Sequence, residues 1–184
     1  NTGSQGAGGS LSCSGFVTVS ITPSNDDPSL AGLDNVTFAE DTVNANAQVM
    51  DNVVLFDDVD STDLNGGVLV VSGVVAEDTI SVQNQSVGTA GNIQRDGDLI
   101  QISDGTSWTT IAEVGTGANE TGQGEDFRLT FNTQSSVSAI GSLLQSLTYQ
   151  NSSDTPTTNR TLGWAVTDGD GGTTGTVNMT VTVN

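Results

Sequence analysis

The chain has 184 residues, with 22 acidic side chains against three arginines (Arg95, Arg128, Arg160), no lysine and no histidine, for a formal net charge of −19. Charge of that sign repels nucleic acid and anionic lipid. No apolar run approaches the roughly 18 residues of a membrane-spanning helix, and Cys13 is the sole cysteine, which excludes an intrachain disulfide.

Residues 1–10 (NTGSQGAGGS) read as a flexible lead-in, with no charged and apolar leader pattern. The chain is therefore expected to be a piece of something longer. Phe16–Ile21 alternates apolar residues with Thr and Ser, the period of a half-buried strand ending at Pro23. Asn25-Asp26-Asp27-Pro28 follows as a polar turn stiffened by proline. The last segment, Val177–Val183, has the same character as Phe16–Ile21, and each follows a glycine-rich stretch. The first segment thus reads as the closing strand of a preceding repeat, and Asn25–Pro28 as a linker. Residues 1–28 are the lead-in, strand and linker; residues 29–184 are the domain.

Within that domain, short β segments are expected at Asn35–Ala39, Val53–Phe56, Val68–Ser72, Thr79–Gln83, Leu99–Ile102, Trp108–Val114, Phe127–Asn132, Leu147–Gln150, Thr161–Thr167 and Val177–Val183. Asp96-Gly97 and Asp104-Gly105 supply hairpin turns, since glycine reaches positive φ. Residues 135–147 differ. Val137, Ile140, Leu144 and Leu147 recur at helical spacing, predicting one short helix laid on the sheets. Many short strands with regular turns predict an all-β, antiparallel β-sandwich.

Three arginines cannot neutralise 22 carboxylates, so cations from outside must. Zinc is disfavoured without histidine and with one cysteine. Calcium takes six to eight oxygen ligands, and acids one or two residues apart on a loop can converge on it. Asp57, Asp58, Asp60 and Asp63 have this spacing, and so do Asp168 and Asp170 among glycines. Asp26 and Asp27 in the linker, Glu40 after a strand, and Asp154 beside Pro156 complete the candidate ligands. The expectation is several calcium ions. A solvated acidic turn that binds nothing is the plainer alternative at each position, because aspartate caps its own turn. That alternative weighs most at Glu77, Asp78, Asp96, Asp98 and Asp104, read as hairpin acids. An EF-hand is rejected at Asp168–Gly172, where no closing glutamate follows.

Asn25-Asp26-Asp27-Pro28, then Leu33-Asp34-Asn35-Val36-Thr37-Phe38-Ala39-Glu40-Asp41, resembles the entry to cadherin-like repeats of large bacterial RTX adhesins. Asp57–Ser61, Leu147–Pro156 and Val166–Thr173 are similar to that family's later motifs, so the resemblance spans about residues 16–184. It implies a cadherin- or immunoglobulin-like Greek-key sandwich, extracellular on the bacterial cell surface, with calcium at Asp26, Glu40, Asp58, Asp60, Asp168 and Asp170. Such adhesins also carry a calcium-dependent peptide-binding module of similar size.

Two functions compete. One is a calcium-dependent adhesion module that binds a peptide or protein on a host or neighbouring cell surface. Its site would be the long Gly115–Asp126 stretch, where Glu120, Glu125 and Asp126 hold an ion open to a ligand carboxylate. Trp108 and Trp164 then wall a pocket, unless they are plain core. The other is a spacer, monomeric and rigidified by calcium against adjacent repeats of the same chain. Catalysis is not expected, since Ser-His-Asp and Ser-Lys arrangements cannot be assembled. The acid pairs also sit side by side in loops, unlike the carboxylates that flank a sugar.

Overall fold

The computed structural model describes residues 14–21 and 24–184. In chain order the strands are β1 (Ser29–Ala31), β2 (Val36–Phe38), β3 (Gln48–Val49), β4 (Leu55–Asp57), β5 (Val68–Ser72), β6 (Asp78–Val82), β7 (Ala90–Asp96), β8 (Leu99–Asp104), β9 (Trp108–Val114), β10 (Phe127–Phe131), β11 (Leu147–Asn151), β12 (Asn159–Val166) and β13 (Val177–Val183). Two helices join them, α1 (Glu40–Ala45) and α2 (Val137–Leu144). The main sheet has eight strands in the order β2-β13-β12-β5-β10-β9-β8-β7, a second sheet has the order β3-β11-β6, and β1 and β4 form a separate two-stranded pair.

Period-2 alternation builds the core between the layers. Leu69 and Val71 of β5, Ile80 and Val82 of β6, Phe127, Leu129 and Phe131 of β10, and Leu162, Trp164 and Val166 of β12 are all buried. Each aliphatic side chain so buried is worth about 1.5–3 kcal/mol over exposure. Helix α2 forms where expected. Ser136 caps it, its hydroxyl accepting from the Ala139 amide at 3.2 Å. The helix buries Ala139, Ile140, Leu143 and Leu144 and packs against β4 and β7. Trp164 is core, not a pocket wall.

Four features depart from the expectations. The sandwich is not wholly antiparallel: β2 runs parallel to β13, with Val36 opposite Val181 and Phe38 opposite Val183. A second helix, α1, follows β2; it buries only Val43, so no apolar periodicity announced it, and Glu40 and Asp41 favour its first turn. Strand β7 has Ile93 as its one buried side chain, too polar a segment to read as a strand. Its hairpin with β8 and side-chain caps hold it: Ile93 N–H donates to Gln85 Oε1 at 2.6 Å and Arg95 N–H to Asn84 Oδ1 at 2.8 Å.

The fourth is Phe16–Ile21, which forms no strand. Phe16 is 99% and Ile21 85% exposed. A strand needs neighbours for its backbone groups, and this one has none within the described chain. Pro23 and Cys13 lie outside the described residues.

The seven residues of β13 span roughly 20 Å at about 3.3 Å per residue, separating two poles. One carries the loops after β4 and β12. The other carries α1, the β5-β6 and β9-β10 loops and the β11-β12 loop.

Candidate functional site

At the first pole three acidic segments distant in sequence meet. The chain enters through Asn25–Pro28, and β1 then pairs with β4, setting Ser29 opposite Asp57. That pairing lays the linker between the loop after β4 and the loop after β12. Asn25 Nδ2 donates to Asp168 Oδ2 at 2.8 Å, the Asp26 amide to Asp60 Oδ2 at 3.1 Å, and the Thr173 amide to Asp27 Oδ1 at 3.1 Å. Pro28 is buried here. Gly172 sits so close beneath the linker that a Cβ there would lie 2.3 Å from Asp168 Oδ2 and 3.0 Å from Pro28 Cδ.

Asp168 organises its loop. Its Oδ1 accepts from the amides of Asp170, Gly171 and Gly172 at 2.8–3.0 Å. Burial pushes its carboxyl up, but the Asn25 amide and these three backbone donors outweigh it and hold it below the usual carboxylate range. Both oxygens are thereby engaged. Gly169 and Gly171 take φ of 94° and 115°, which lets the backbone wrap around that carboxylate.

Asp58 differs. Its Oδ1 accepts from the Asp60 and Ser61 amides at 3.4 and 3.1 Å, whereas its Oδ2 is buried with no hydrogen-bond partner. Ser61 Oγ is buried and partnerless in the same turn. Asp58 as a whole is 7% exposed. A buried carboxylate oxygen without a partner is costly, and two such oxygens in one turn suit a hard cation, which takes oxygen ligands alone. Asp26, Asp57, Asp60 and Asp170 are exposed, and the Asp26 amide reaches Asp60. Asp63 caps its own turn through the Asn65 amide at 3.1 Å. No arginine is here. Arg95 pairs with Asp98, Arg128 with Glu120, and Arg160 with Asp78 and Glu77. Among the described residues no three acids are drawn close enough to form a ready-made metal cage, so the donor set fits calcium in chemistry and burial but stands open.

The remaining candidates lie at the second pole. The Glu40 amide donates to the Asn184 carbonyl, and Asn44 bridges Glu40 Oε1 at 3.5 Å to the Ser153 carbonyl at 3.0 Å, next to Asp154. Neither Glu40 nor Asp154 joins the first cluster. The Gly115–Asp126 loop is folded onto the edge of β6: the Ile80 amide donates to the Gly122 carbonyl and the Gly124 amide to the Asp78 carbonyl. Its acids are taken up by the loop and by the chain flanking it. Glu120 accepts from the Gly117 amide, Glu125 from Asn119, Thr121 and the Thr121 hydroxyl, and Asp126 from the Gly73 amide. The Thr121 hydroxyl, then the two backbone donors, hold Glu125 below the ordinary range.

The reading of Asp78 as a hairpin acid is corrected. It opens β6 at 1% exposure. Arg160 Nε donates to both its oxygens at 2.8 and 2.9 Å, Tyr149 Oη at 2.6 Å and Asn151 Nδ2 at 2.9 Å. Arg160 also donates to Glu77 and to the Thr157 carbonyl. A signal existed: Arg160 stands in alternation with Leu162, Trp164 and Val166, so it points into the core. Asn25 and Ser61 were missed because amide and hydroxyl side chains are everywhere in this composition.

No family model matches the chain, and no curated protein or solved structure matches it significantly.

Proposed function

We propose that the chain is a calcium-dependent β-sandwich module of a bacterial surface adhesin, acting outside the cell as a stiff joint. In this reading calcium binds at the first pole, where Asp58 Oδ2 is the anchor. Asp26, Asp57 and Asp60 close on the ion with the Ser61 hydroxyl. The linker Asn25–Pro28 is then clamped between both acidic loops, and residues 14–21 leave the sandwich in a fixed direction toward an adjacent repeat. The observation that carries this is the buried, partnerless oxygen of Asp58 in a cluster no arginine reaches. The order of the motifs, similar to that of cadherin-like RTX adhesin repeats, supports it. The engaged acids of the Gly115–Asp126 loop favour the joint over an open calcium that takes a peptide carboxylate there.

Calorimetry with calcium tests the site. Binding near the 10⁻⁴–10⁻³ M range common to extracellular calcium modules, abolished by Asp58→Asn, is the expected outcome. Absence of calcium binding by the unaltered chain overturns it. The joint is tested by spin labels at Thr18→Cys and Ser138→Cys in a Cys13→Ser background. Calcium should narrow the distance distribution between them.

A further inference from the structure

A cleft lies between the end of α2, the β6-β7 connection and the β3-β4 turn. It encloses about 380 Å³, at the small end of the roughly 300–1,000 Å³ typical of ligand sites. Its polar walls are Asn52, Gln83, Gln85, Ser142, Gln145 and Ser146, and Val49 is the one aliphatic side chain on it. No ionisable group lines it, in a chain of net charge −19. Gly91, at φ 89°, faces Ser142 across the cleft; a Cβ there would stand 3.6 Å from Ser142 Oγ, an ordinary contact.

The hydrogen-bonding groups of the cleft are only half used. Gln83 Oε1 accepts from Gln85 Nε2 at 3.3 Å, which leaves the Gln83 amide nitrogen as donor. Gln145 Nε2 donates to the Val54 carbonyl at 2.9 Å, which leaves its Oε1 as acceptor. The exposed Asn52 carboxamide, on the cleft wall, offers both. Paired donors and acceptors without charge match hydroxyl groups, each of which donates and accepts. An ion finds no countercharge in the cleft. A peptide side chain finds almost no apolar wall. An anionic sugar meets the repulsion of the whole molecule.

We propose that this cleft is a binding site for a neutral saccharide of one or two rings, read by Asn52, Gln83 and Gln145. It shares no residue with the aspartate-rich pole and does not depend on the calcium reading. The experiment is a titration of the calcium-loaded, ¹⁵N-labelled chain, followed through the side-chain amide signals of Asn52, Gln83 and Gln145. The probes are glucose, galactose, mannose and N-acetylgalactosamine, with sialic acid and triglycine as contrasts. At least one neutral sugar should move these signals at millimolar to tens-of-millimolar concentration, while sialic acid and triglycine leave them in place. Asn52→Ala should weaken binding about tenfold, the loss of about 1.4 kcal/mol of hydrogen bonding. Ser142→Phe, which fills the cleft and removes none of the reading groups, should abolish it. Both sites are at the surface, and matching melting temperatures check that the variants fold. The proposal is overturned if no neutral sugar moves the signals, if triglycine moves them instead, or if binding survives Ser142→Phe in a folded protein.

Discussion

The two poles of the sandwich handle negative charge in opposite ways. At the second, Glu77, Asp78 and Glu120 are met by Arg160 and Arg128, and Glu125 and Asp126 by backbone amides and a hydroxyl. At the first, Asp27, Asp58, Asp60, Asp63 and Asp168 accept only from amides, Asp26, Asp57 and Asp170 lie exposed, and one buried oxygen of Asp58 meets nothing. Net charge alone does not distinguish these regions; the placement of three arginines does. At one pole the chain's own arginines meet part of the charge; at the other, in the proposed reading, that task falls to a cation from solution.

The largest effect is expected at the closed pole. Arg160→Ala strands Asp78 in the core with Tyr149 and Asn151 as its remaining side-chain partners, and removing one member of a buried ion pair costs about 3–5 kcal/mol. Denaturant unfolding should give this loss equally with and without calcium. The paired variant Arg160→Met with Asp78→Leu should recover much of it, because the desolvation of both charges is then avoided. A loss that depended on calcium would break the distinction between the poles.

Next in size is calcium itself. At a hundredfold excess over Kd one site adds about 2.7 kcal/mol to folding. Chelation should therefore lower the melting temperature of the unaltered chain, and Asp58→Ala should remove most of that response. Arg160→Ala should keep it. An identical melt with and without chelator would mean that the first pole is stable on amide donors alone.

These regions were not equally legible in the sequence. Within residues 29–184 the expected strands formed within a residue or two, and three of them (Val68–Ser72, Trp108–Val114, Val177–Val183) match at both ends, whereas Phe16–Ile21, with equally clear alternation, has no neighbour to pair with among the described residues. Helix α2 declared itself by its 3.6-residue spacing. The acid clusters announced a chemistry, but not which of them meet. That depends on β1 pairing with β4, and Ser29–Ala31 is too short to carry a period. Strand β7 was hidden because its edge is satisfied by Asn84 and Gln85 rather than by a strand. Glu120, Glu125 and Asp126 were expected to serve a ligand. Spacing cannot tell an acid that binds outward from one that folds back on its own loop.

A smaller effect isolates the linker contact. Asn25→Ala removes the hydrogen bond to Asp168 and should cost about 1 kcal/mol. Gly172→Ala should cost more, since its Cβ would lie 2.3 Å from Asp168 Oδ2. Both variants should also loosen residues 14–21 in the spin-label measurement, whereas Arg160→Ala should not. Loosening by all three would mean that the linker reports global stability rather than the clamp.

The smallest effect concerns protons at the second pole. Glu125 is held below its ordinary range by the Thr121 hydroxyl first, then by the Asn119 and Thr121 amides. A carboxyl depressed in the folded state stabilises fully above its unfolded pKa, and the contribution disappears as pH falls through the folded value. Acidification below about pH 4.3, the ordinary glutamate value, should therefore release the Gly115–Asp126 loop progressively. Because Glu125 lies at the surface the global loss is small, so the measurement is local: hydrogen exchange of the Asn119 and Thr121 amides. Their protection should fall with pH in the calcium-loaded chain and already be low at neutral pH in Glu125→Gln. The variant keeps one oxygen but loses the charge that strengthens all three bonds. If protection in Glu125→Gln matches the unaltered chain at neutral pH, the loop is held by its backbone contacts to Ile80 and Asp78 instead. The carboxylate would then be spare, and the second pole would have an acid free for a partner after all.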